Sequence, residues 1–197
     1  MTGDVVLARA RIGLLRVLLL LAGLGCAVAL RSVISGAGGP QSSTGGLVFA
    51  GCLLALSFAA QLPVPRQPAI SVLSGAGGGL LLAGAALLRS GLSPSGSRGI
   101  SGFLPWLVVA ATVAVSEEAF LRGALFAVLQ RLAGDTPAVI VGAVAFAALH
   151  VPLYGWQVLP LDFAVGLLLG TLRVITGSWA SPAVAHVVAD AAGWWLG

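Results

Sequence analysis

The sequence predicts an all-α fold, a polytopic transmembrane helical bundle of about seven spans, and three observations predict it. The 197-residue chain is 58% hydrophobic and 8% charged, has a mean hydropathy of +1.06, and contains no lysine. So little polar surface cannot coat a water-soluble globule. Apolar stretches of roughly 20 residues, long enough for a hydrocarbon layer of about 30 Å, recur along the chain. Nothing alternates with the period-two pattern of a barrel strand, and a bilayer core admits only helices or closed barrels.

The first apolar run, from Ile12 to about Leu30, follows Arg9, Arg11 and Arg16 and contains the small-x-small triplet Ala27-Val28-Ala29. It exceeds the roughly 7–15-residue apolar stretch of a signal peptide, and more spans follow, so a first transmembrane helix is expected. Spans are expected near 12–34, 45–62, 69–88, 103–130, 137–153, 157–176 and 179–196. Gly36-Ala37-Gly38-Gly39-Pro40, Pro63-Val64-Pro65 and Ser93-Pro94-Ser95-Gly96 mark loops between them, since glycine and proline punctuate helices. Gly75 to Gly79 reads as a tight helix contact rather than a phosphate cradle, because no GxxxxGK[ST] is present. Residues 1–100 form an N-terminal set of membrane helices with almost no polar chemistry, and 101–197 form the core that carries it.

All ten basic residues are arginines and the formal net charge is +4. With the N-terminus cytoplasmic, Arg9, Arg11, Arg16, Arg66, Arg131 and Arg173 fall inside and Arg31, Arg89 and Arg98 outside, in keeping with the positive-inside rule. The charge is a topology signal in an integral protein of the cell membrane, partnered by lipid and not by nucleic acid. Cys26 and Cys52 lie inside apolar runs and imply neither a disulfide nor a metal knuckle. Tyr154, Trp156, Trp179, Trp194 and Trp195 read as interfacial anchors, and Asp162 receives no role.

Ionisable residues inside membrane spans are costly and mark functional sites. In Ser116-Glu117-Glu118-Ala119-Phe120-Leu121-Arg122, the i,i+4 spacing puts Glu118 and Arg122 on one helical face, with Glu117 turned roughly 100° away. Glu118 is therefore expected to pair with Arg122 in a structural role. Glu117, without a local partner, is the freer carboxylate and the candidate base. The next span ends in Phe146-Ala147-Ala148-Leu149-His150, and the last carries His186-Val187-Val188-Ala189-Asp190. Three spans that each deliver such groups point to one site. An ion-pair cluster that merely pins helices together is the bland alternative.

These residues resemble three motifs of the CPBP intramembrane proteases, the family of the CAAX prenyl protease Rce1 and the bacterial Abi proteins. Glu117-Glu118 with Arg122 looks like EExxxR, Phe146 with His150 like FxxxH, and His186 with Asp190 like the final HxxxN/D. The resemblance implies an intramembrane endopeptidase in which Glu117 and His150 activate a water while His186 and Asp190 stabilise the oxyanion. Glu118, Arg122 and Phe146 would support them, and the substrate would be a peptide or protein, in some relatives lipid-modified. The family often has Asn where this chain has Asp190. An ionised carboxylate cannot donate to an oxyanion, so Asp190 is expected to be protonated or to orient His186 instead.

No cofactor is favoured. The alternative is a divalent metal such as zinc held by Glu117, His150, His186 and Asp190, although the HExxH spacing is absent. Two rival functions remain at this level: a proton-coupled transporter, which also buries carboxylates and histidines, and a non-catalytic membrane scaffold. Serine and aspartyl intramembrane proteases fit worse, because Ser178 lacks a GxSG elbow and Asp162 and Asp190 lack a GxGD setting.

Overall fold

The apolar runs become helices in the computed structural model, which describes residues 2–65, 67–89 and 100–196. These are α1 (Thr2–Ser35), α2 (Ser43–Ala59), α3 (Pro68–Arg89), α4 (Phe103–Glu118), α5 (Phe126–Ala133), α6 (Asp135–Tyr154), α7 (Leu159–Thr176) and α8 (Ala180–Leu196). A π-helical segment, Ala119–Leu125, joins α4 to α5, so seven rods occupy the seven expected spans and no strand occurs among the described residues. The expected loop Ser93-Pro94-Ser95-Gly96 and the charges Arg66 and Arg98 lie outside the described residues.

Among the described residues, five stretches are long and apolar enough to cross a membrane: Leu7–Ser35, Pro68–Leu88, Ile100–Ala133, Asp135–Tyr154 and Trp156–Thr176. The 17-residue helices α2 and α8 are shorter. At about 1.5 Å per residue they reach roughly 25 Å, less than the about 30 Å of a hydrocarbon core. Leu15, Leu18 and Leu19 of α1 and Leu73, Leu80 and Leu81 of α3 turn outward, as helices that face lipid must.

Two turns show why the rods stop where they do. Gly39 (φ 49°, ψ −137°) breaks the short 3-10 segment Gly36–Gln41 between α1 and α2 with a backbone that side chains disfavour. Gly177 (φ 65°) closes α7 in the left-handed conformation, its N–H donating to Arg173 O, so that α8 can turn back across the bundle.

Small residues let the rods approach closely, as packing in lipid requires. At Gly75 an added Cβ would meet Ser181 O at 2.5 Å, and at Gly79 it would meet Val188 Cβ at 2.5 Å, so the glycine seam of α3 receives α8 directly. Gly166 and Gly170 of α7 receive α6 likewise, the first at 2.7 Å from Ala143 Cα. The two seams fix the helices that carry His186 and His150. Leu24 of α1, Phe49 and Leu53 of α2, and Phe120, Phe146 and Leu169 belong to one buried cluster, so helices from both halves share a core.

Two of the arginines counted for topology, Arg31 and Arg173, are buried. Arg31 Nη1 lies 3.8 Å from Glu117 Oε1, and Arg173 Nε donates to Arg122 O at 2.9 Å. Both were charges inside apolar runs, the same signal that singled out the glutamates. The aromatic residues divide as well. Trp194 is buried against Trp106 at 4.9 Å between ring centroids, and Trp179 Nε1 donates to Pro63 O at 2.7 Å. Packing and hydrogen bonding hold these two.

Candidate active site

Glu117 and Glu118 end α4 and are both buried, but their surroundings differ. Glu118 Oε1 accepts from Arg122 Nη1 at 2.8 Å and faces His186 Nδ1 at 3.2 Å. One carboxylate oxygen thus ties the first motif to the last helix, and its partner oxygen Oε2 is buried with no hydrogen bond among the described residues. Arg122 spends Nη2 on Gly166 O at 3.0 Å and lies over the Phe146 ring at 4.9 Å. A buried guanidinium with an ion-pair partner, a carbonyl and an aromatic face is compensated on every side.

The expected α-helical path through this motif is altered. The π segment that begins at Ala119 contains Arg122, and Phe126 N–H reaches Leu121 O and Gly123 O, passing over Arg122 O. Arg173 supplies the donor to that carbonyl and stacks on Phe126 at 4.9 Å. Insertions of this kind recur at functional sites. The spacing alone does not reveal it, and the donor that meets the passed-over carbonyl lies 51 residues away.

On α6, His150 Nδ1 stands 2.8 Å from Phe146 O. A carbonyl only accepts, so Nδ1 carries the proton and Nε2 is left for chemistry. Asp162 Oδ2, on the first turn of α7, is 3.7 Å from the same Nδ1, a neighbour the sequence reading left without a role. The Phe146 ring contacts both imidazoles edge-on, at 4.7 Å from His150 and 5.4 Å from His186.

Asp190 Oδ1 lies 3.8 Å from His186 Nε2, beyond hydrogen-bond length, and its side chain is 36% exposed. Glu118, on α4, makes the shorter contact, with the other ring nitrogen of His186. Ser178 is buried, and its hydroxyl accepts from Ala180 N at 3.3 Å, a capping contact at the start of α8.

A cavity of about 430 Å³ is lined by Glu117, His150, His186 and Asp190 together. Arg31, Tyr154 and the segment Pro40 to Ser43 form part of its wall, with Trp106 and Trp194 on another. Glu118 and Arg122 are not among the lining residues, which separates them from the groups that face the open space. Among the described residues no three His, Cys, Asp or Glu side chains are grouped to hold a metal ion.

Comparison with known families gives one match. A family model described as type II CAAX prenyl endopeptidase Rce1-like matches residues 99–192. Over these residues, a little under half of the 197-residue chain, the protein is similar to this family. No curated protein and no solved structure matches the chain. The Rce1-like segment contains all the residues of the three motifs, from Glu117 to Asp190, as well as Asp162 and Arg173. Arg31 lies outside it. The assignment supports an endopeptidase in a membrane setting that acts on a peptide or protein.

Proposed function

We propose that this chain is an intramembrane endopeptidase that hydrolyses a peptide bond with a water activated by Glu117 and His150. One observation carries the reading: the unattached carboxylate, both imidazoles and Asp190 line a single cavity within the helical bundle. A general base has to reach its water, and Glu117 borders the cavity while Glu118 is spent on Arg122 and His186.

In this mechanism Glu117 takes a proton from water held at His150 Nε2, and the hydroxide adds to the peptide carbonyl carbon. The oxygen of that carbonyl becomes an oxyanion and receives a hydrogen bond from His186 Nε2. His186 can donate there only with both ring nitrogens protonated, its Nδ1 facing Glu118 Oε1. Collapse of the tetrahedral adduct breaks the C–N bond, and Glu117 returns its proton to the departing amine. Asp190 serves as the electrostatic partner of His186 rather than as an oxyanion donor. The family description makes a C-terminally prenylated peptide a candidate substrate, in the cell membrane and with the N-terminus cytoplasmic. The N-terminal helices 1–100 then frame a catalytic core at 101–197.

The test compares membrane proteomes incubated with wild-type protein and with Glu117→Gln in vesicles. New peptide termini that depend on Glu117 are expected. Equal cleavage by the Gln variant refutes the role of Glu117, and proton-linked solute uptake without cleavage would place the chain with the transporters.

A further inference from the structure

Arg31 belongs to none of the motifs and sits on α1, outside the matched segment 99–192. It is nonetheless the cation within ion-pair reach of Glu117 among the described residues, at 3.8 Å from Oε1, and it lines the same cavity. Its side chain is 10% exposed, and a charge kept in an apolar interior at such a place is costly unless it serves a site.

The contact is ionic without being a hydrogen bond. An arginine free to approach a carboxylate closes on it with two parallel N–H bonds. Here the guanidinium lies over the Phe49 ring at 4.9 Å, on α2, and stands 3.8 Å from Glu117 Oε1. Glu118, whose Oε1 takes contacts at 2.8 Å and 3.2 Å, shows what a committed carboxylate looks like in the same molecule. Glu117 keeps its lone pairs available.

We infer that Arg31 is a positioning residue for Glu117: it attracts Oε1 from the α1 side, turns Oε2 toward the cavity water, and is kept at that distance by Phe49. The inference rests on Glu117 being the base. Its consequence is that the N-terminal helices supply part of the active site, although the family segment ends short of them. Two groups 86 positions apart in the chain would then act as one unit, as the numbers of Arg31 and Glu117 give by subtraction (117 − 31).

The probe is an internally quenched peptide spanning a site whose cleavage depends on Glu117 in the proteome comparison, assayed with full-length protein in vesicles. If no such site exists, the reading of Glu117 fails and this inference fails with it. Given a site, Arg31→Gln should lower kcat by about 10–100-fold, the usual cost of losing a group that orients a reacting one, with KM within about twofold and Arg31→Lys restoring most of the rate. Phe49→Leu, which keeps the volume but removes the ring face, should let Arg31 close on Glu117 and also lower kcat. It decides the matter should Arg31→Gln not accumulate. A dead Glu117→Gln beside an Arg31→Gln or Phe49→Leu variant of wild-type kcat overturns the inference and leaves the function standing.

Discussion

Glu118 grips Arg122 at 2.8 Å and His186 at 3.2 Å through one oxygen, whereas Glu117, its immediate neighbour, meets Arg31 at 3.8 Å and borders open space. The first is a knot that joins the α4 rod to α8; the second is a carboxylate left able to react. A helix turns about 100° per residue, so adjacent positions face different surroundings, and one dipeptide can serve both stability and chemistry. The difference teaches that the number of partners, not burial, separates the two, since both side chains are almost inaccessible.

The largest expected effect breaks the pair apart by function. Glu117→Gln should lower turnover by about 10²–10⁴-fold, the span ascribed to a positioned general base, with unchanged thermal unfolding in detergent. Loss of folding in place of activity would erase the distinction. Arg122→Ala, in contrast, should lower stability by about 3–5 kcal/mol, because it strands a buried carboxylate. Chemical denaturation followed by circular dichroism reads this directly, and a normal midpoint would show that the knot is not structural.

Smaller changes sharpen the comparison at its supports. Gly79→Val drives a methyl-bearing carbon into Val188, so α8 must shift and carry His186 with it. A cost of about 1–3 kcal/mol is expected from overpacking, seen as a lowered unfolding midpoint together with reduced cleavage. Arg173→Met removes the donor to Arg122 O and should cost about 1.5–3 kcal/mol, the range for hydrogen bonds from charged groups. Infrared or hydrogen-exchange measurements should then show faster amide exchange across 119–125. Unchanged protection there would mean that the π segment stands without Arg173.

Much of the fold was legible because membrane helices announce themselves locally. The hydropathy of 103–130 marks a rod without reference to any other part of the chain, and the 103–133 rod observed differs from it only at its end. The pairing of Glu118 with Arg122 was equally local, four residues apart on one helix. The neighbours of Arg31, Arg173, Asp190 and Trp194 were not legible. Each has neighbours set by which helices pack together, and a single sequence carries no record of that.

The sequence by itself determined that this chain is a bundle of membrane helices and which three of them carry acid, base and imidazole groups, because composition and i,i+4 spacing act within one helix. Only the tertiary structure decided that Glu118 meets His186 across 68 positions, that Arg31 faces Glu117, and that Arg173 braces a π turn across 51. The physical reason is close packing in lipid. Glycine seams at Gly75, Gly79 and Gly166 set where the rods touch, and contact between rods, not position along the chain, gives each buried charge its partner.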